Sequence, residues 1–192
     1  MGTLFETNRR LPVLISVCVV LLMAMTFASL AAESTNNGSI SLTSSAFAEG
    51  APIPEEYTCQ GKDRSPPLKW SGAPAQVKSL ALIMDDPDAP TGTWVHWVLY
   101  DLAPSMTELP EGLSAKEHIA AGSGKEGVND FKRLGYGGPC PPPGKPHRYF
   151  FKLYALDITL DLKAGAKKKD LERAMEKHIL AQGQLMATYK RK

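Results

Sequence analysis

LALIMDDPDAPTGTWVHWVLYDL, residues 80–102, decides how this chain must fold. Its first part continues an apolar run, KSLALIM (78–84), with no polar break, which suits a strand buried on both faces. Its last part, TWVHWVLYDL (93–102), is aromatic and β-branched, as strands are. Between them stand three aspartates and two prolines, all ordinary turn residues. Working outward, RYFFKLYALDI (148–158) is another strong strand and ISLTSSAF (40–47) alternates like one. Leu68–Trp70 follows Pro66 and Pro67 and reads as a short edge piece. Residues 104–146 are rich in Gly, Pro and charge and read mostly as loop, long enough to imply a task. One helix is expected from Asp170 through LERAMEKHILAQ (171–182), ended by Gly183, with QLMATYK (184–190) as the last strand. Many short strands with one late helix give a mostly β protein, a β-sandwich with a peripheral helix.

At 192 residues, 43% hydrophobic and 22% charged, the chain has the composition of one globular domain. A net charge of +2 without a basic, aromatic-interleaved stripe argues against nucleic acid. AKKKD (166–170) and the terminal KRK read as solvated surface. Residues 1–31 form a separate segment: Arg9 and Arg10 precede an apolar stretch ending in Ser29-Leu30-Ala31, as in a secretory signal. Cleavage near Ala31 predicts an exported protein, periplasmic or secreted; contact with a membrane is expected only if the segment stays as an anchor. Cleavage would leave Cys59 and Cys140, which either pair in an oxidising compartment or remain as two buried thiols.

A strand period of two places Trp94, His96, Val98 and Tyr100 on one face, and Thr93, Val95, Trp97 and Leu99 on the other. It likewise aligns His147, Tyr149, Phe151 and Leu153. Each histidine therefore lies on an apolar or aromatic face, beside a proline-rich loop. A carboxylate next to an imidazole fixes its tautomer and favours its charged form. Imidazolium, a tyrosine hydroxyl and backbone amides of a glycine loop are together donors for an oxyanion such as phosphate. Affinity carried by a charged histidine should fall above pH ~6.5.

YTCQGKDRSPPLKWSG (57–72), residues 80–102 and GYGGPCPPPGKPHRYFFKLYALD (135–157) closely resemble the phosphatidylethanolamine-binding proteins, nearest their bacterial Raf-kinase-inhibitor-like branch (YbhB/YbcL). The resemblance implies a domain over residues 39–191, an antiparallel β-sandwich with a C-terminal helix and a shallow pocket for phosphate-like groups. Carried over, that pocket comprises Asp86 and Asp88, which orient and charge it, and His96. Gly138, Pro139, Pro141, His147 and Tyr149 complete it, the histidines and the phenol acting as donors. Val95 stands where animal members have a second histidine. A non-enzymatic binding protein for a small anionic ligand is therefore expected, with no cofactor and no metal. A protein-interaction module inhibiting a protease or kinase is the alternative, and would add a protein partner. A metal-dependent hydrolase is disfavoured because no HExxH or other tight ligand spacing is present, and a serine hydrolase because G-x-S-x-G is missing.

Overall fold

Every residue of β4 (Ser79–Asp86) is buried, as its unbroken apolar run requires. It pairs antiparallel with β5 (Trp94–Leu102) on one side and β8 (His147–Leu156) on the other. The computed structural model describes Gly2, residues 38–113 and residues 124–192. Asn36–Lys192 forms one compact unit; the expected signal segment and its cleavage site lie outside the described residues. Among the latter, no helix is long and apolar enough to cross a membrane.

The remaining strands are β1 (Gly38–Ser39), β2 (Ser41–Thr43), β3 (Leu68–Ser71), β6 (Glu108–Leu109), β7 (Lys125–Glu126) and β9 (Ile179–Tyr189). Six form a large sheet in the order β1-β9-β8-β4-β5-β7, antiparallel except for β1 beside β9. The other three form a small sheet, β2-β3-β6. Leu80, Leu82 and Met84 of β4 pack with Leu42, Leu68, Trp70 and Leu109 of the small sheet. Ala81 and Ile83 point the opposite way, into a second cluster beneath the helix α1 (Lys168–Met175) through Leu171 and Met175. The sandwich and its peripheral helix are as expected from the sequence. The 104–146 region is irregular where described, except for the two-residue strands β6 and β7.

Two boundaries differ from the sequence reading. The 40–47 strand shrinks to Ser41–Thr43, because the chain then leaves the sheet at Ser44, whose hydroxyl donates to Pro67 O at 2.6 Å. The helix stops at Met175 rather than at Gln182. Its start is marked by the Asp170 carboxylate, which accepts from Lys167 N at 3.4 Å; lysine has no side-chain acceptor, so the capping box is one-sided. Ile179 onward instead extends β9 along β8, with Leu156 opposite Ile179 and Ala155 opposite Ala181. Ile, Leu and Ala fit either element, and ten paired positions on β8 favour the strand. Gly183 is then no helix stop. A Cβ there would lie 2.1 Å from Ile40 O, so glycine lets the 38–43 segment cross β9, where Ile40 N donates to Gln182 O at 2.9 Å.

Candidate functional site

Asp86 ends β4 with its carboxylate buried, only 3% of the residue being exposed. One oxygen accepts from Asp88 N at 2.8 Å, an Asx turn that opens the DPDAP loop. The other lies 2.8 Å from Nδ1 of His147, the first residue of β8. An ionised carboxylate only accepts, so His147 Nδ1 carries the proton and Nε2 is the ring atom Asp86 leaves to other partners.

His96 reaches the same place by an irregularity that alternation does not reveal. Met84 pairs with Trp97 and Asp85 with Val95, so His96 has no partner on β4 and forms a β-bulge. The strand's phase shifts there. Val95 joins Val98 and Tyr100 beneath α1, while Trp97 and Leu99 face the small sheet. His96 turns towards Tyr149 instead of sharing a face with Val98 and Tyr100 as the period of two required. The two rings meet edge-on at 5.2 Å. Its Nδ1 donates to Gly137 O at 2.6 Å, and Phe131 caps it from the other side at 5.3 Å. Only 2% of His96 is exposed, and burial pushes its pKa below the ordinary histidine value. His96 is therefore neutral near pH 7, not the cationic donor expected from the sequence.

Asp86, His96 and His147 line one hollow of about 220 Å³. Ala89, Pro90 and Thr91 of the DPDAP loop make one wall, Trp94 and Phe131 a second, and Cys140, Pro141 and Pro142 a third. The floor is polar and the walls are largely apolar. Pro141 is thus a fourth expected residue in the lining, while Asp88, Gly138, Pro139 and Tyr149 stand around the hollow rather than in it. Asp88 is held by Arg148 through Nε at 2.9 Å, Nη2 at 2.7 Å and the backbone N at 2.9 Å. Those hydrogen bonds hold its pKa down at about 2, so it pins the DPDAP loop to β8 as a permanent anion.

Tyr149 lies wholly buried beneath the histidines. Its hydroxyl lacks a well-aligned partner among the described residues, yet burial first and nearby Asp86 second push its pKa far up. It packs against His96 and is not presented to the hollow.

The glycine loop also works differently from the sequence expectation. Gly137 N donates to His96 O at 2.9 Å and Gly138 N to Asp63 Oδ1 at 2.6 Å, so neither amide is left for an anion. A Cβ on Gly138 would come within 2.6 Å of Tyr57 O, which explains glycine there. Pro139 is buried and its carbonyl accepts from Cys59 N at 3.2 Å. Cys59 and Cys140 are joined by a disulfide.

Phe131, Trp94 and Asp63 were not singled out from the sequence as site residues. Asp63 adopts a left-handed φ of 52°. Its second oxygen accepts from Arg133 Nη2 at 2.6 Å, and that guanidinium sits 5.5 Å over the Phe131 ring. One carboxylate thus ties the glycine loop and the Phe131 wall together. The available signal was Phe131 itself, a lone large apolar residue in the polar stretch KEGVNDFKR. Among the described residues no three His, Cys, Asp or Glu side chains come close enough to ligate one metal ion.

A profile of the phosphatidylethanolamine-binding proteins matches residues 43–190. A UPF0098 protein of Methanothermobacter thermautotrophicus is 49% identical over 152 residues, 79% of this chain and 99% of that one. A UPF0098 protein of Pyrococcus horikoshii is 49% identical over 156 residues, 78% of this chain and 76% of that one. Among crystal structures, Escherichia coli YbcL, described as a member of the mammalian PEBP family, superposes with a TM-score of 0.75 at 30% identity. A Chlamydia trachomatis PEBP homologue superposes with a TM-score of 0.73 at 43% identity. Both matches cover 80% of this chain and 99% of the other.

Proposed function

Because the chain belongs to the phosphatidylethanolamine-binding protein family, we propose that it is a non-enzymatic binding protein whose hollow takes a small phosphate-bearing anion. The observation that carries this reading is the Asp86–His147 pair on the floor. When doubly protonated, His147 keeps Nδ1–H on Asp86 and offers Nε2–H to a ligand oxygen. The Asp86 charge is then cancelled by its own partner, so an incoming anion is not repelled. Neutral His96, with Nδ1–H committed to Gly137, has a lone pair on Nε2 that accepts from a protonated phosphate oxygen or a bridging water. Prolines on two walls limit the ordering cost of binding. The Cys59–Cys140 bond suits an exported protein, since such bonds persist in oxidising compartments.

The test is calorimetry with phenyl phosphate, whose ring can lie against Trp94 and Phe131. Saturable binding is expected, and His147→Ala should weaken it about tenfold, the scale of one charge-assisted hydrogen bond. An unchanged affinity in that variant, with circular dichroism showing intact strands, would remove the basis for the reading.

A further inference from the structure

Asp85, the residue before Asp86, is also fully buried but faces α1. Its oxygens each accept from Lys152 Nζ at 2.9 Å, and one also accepts from Lys168 Nζ at 2.5 Å. One buried carboxylate therefore holds two ammonium groups. Lys168 in turn lines a second cavity, of about 390 Å³, together with Lys132, Lys167 and Lys169. The acids of that lining are Asp130 and Glu172. Asp130 gives one oxygen to Val95 N at 2.8 Å, and Glu172 lies 3.6 Å from Lys168. Among the described residues, no carboxylate forms an ion pair with Lys132, Lys167 or Lys169. The cavity is separate from the hollow: of three successive residues, Asp130 and Lys132 line the cavity while Phe131 lines the hollow.

We propose that this lysine-lined cavity is a second anion site, built to take a phosphate-bearing anion of high charge. Like charges gathered in a concave space repel one another less weakly than on an open surface, and a bound anion reverses the sign of that interaction. The buried Asp85 acts as a fixed anchor that aims Lys168 into the cavity, as a supporting carboxylate aims the donor of a preorganised site. Three further lysines arrive from two segments, the 128–132 turn and the start of α1. Flexible ammonium groups with rotatable donors suit the several oxygens of a phosphate.

Inorganic pyrophosphate is the probe, titrated by calorimetry into the folded protein at low salt. Saturable binding is expected. It should be weakened about tenfold in the Lys167→Gln/Lys169→Gln double variant, the scale of lost charge-assisted bonds. Both lysines are exposed, so the variant should melt at the wild-type temperature. His147→Ala should keep the lysine-dependent component of pyrophosphate binding, whatever the hollow itself contributes. No saturable binding, or no effect of the double substitution, overturns the proposal. Loss of that lysine-dependent component in His147→Ala overturns it too, because the anion then sits in the hollow. A second arm, phosphatidylcholine vesicles containing phosphatidic acid, separates the sources of phosphate. Lysine-dependent binding to vesicles as well as to pyrophosphate supports the site and adds a membrane headgroup as occupant.

Discussion

The floor of the hollow and its rim are built by opposite means. Asp86, His96 and His147 stand on strands of the large sheet, at most 9% exposed, each fixed by a short polar contact to another part of the chain. Phe131, which is 37% exposed, and the Pro141–Pro142 wall stand on loops. These are held from outside by a disulfide, by Asp63 and by a stacked guanidinium. A sheet positions polar atoms well because its ladder fixes every backbone vector, whereas a loop needs tethers of its own. Stability and affinity should therefore separate differently in the two regions.

The rim's covalent tether should show the largest effect. The disulfide links residues 81 apart, and in the chain-entropy model its loss removes about 4 kcal/mol. Denaturant unfolding of Cys59→Ser/Cys140→Ser should show that drop; a change below about 1 kcal/mol would mean the reduced chain is held by other contacts. Next comes the floor. Asp86→Ala strands His147 Nδ1 and Asp88 N together, and should destabilise by about 3 kcal/mol while abolishing phenyl phosphate binding. If affinity survives that substitution, the floor is not what recognises the ligand.

The same division governs how much was legible in the sequence. β4 could be read because an unbroken apolar run has one comfortable place, between two neighbouring strands. β8 could be read because His147, Tyr149 and Phe151 do alternate with Arg148, Phe150 and Lys152. His96 was placed at the site by its family motif, but its direction was misread, since a bulge inserts one residue and no single-strand pattern records it. The helix was extended too far because HILAQ satisfies a helical period and only β8 supplies the competing partner. Pro141 came with the family motif, but the tether on the Phe131 side of the rim was hidden for a related reason. Asp63 and Arg133 lie 70 residues apart, and each looks like an ordinary surface charge until the fold brings them together.

Asp88 sits between the two regions and gives a smaller, pH-dependent effect. Its folded pKa, held at about 2 by Arg148, lies below the ordinary 3.8. The stabilisation is therefore present above pH 3.8 and is lost as pH falls through about 2. Because Arg148 is more than half exposed, solvent screening limits it to roughly 1 kcal/mol. Asp88→Asn should flatten the acid limb of the stability curve by that amount. Identical acid limbs in the two proteins would mean that the carboxylate is equally well solvated when unfolded.

Phe131→Ala should have the smallest effect on stability, a few tenths of a kcal/mol for a partly exposed loop residue. Its informative readout is His96, 5.3 Å from the Phe131 ring. Burial is the main cause that depresses the His96 pKa, and Phe131 closes one side of that burial. Removing the ring admits water and should move the His96 titration, followed by NMR of its ring protons, up towards the ordinary histidine value. The charged form of His96 would then be populated at a higher pH, which would partly offset the apolar contact that phenyl phosphate loses. A His96 titration that does not move would mean that Tyr149 and Gly137 alone keep the ring dry, leaving Phe131 a wall for the ligand and nothing more.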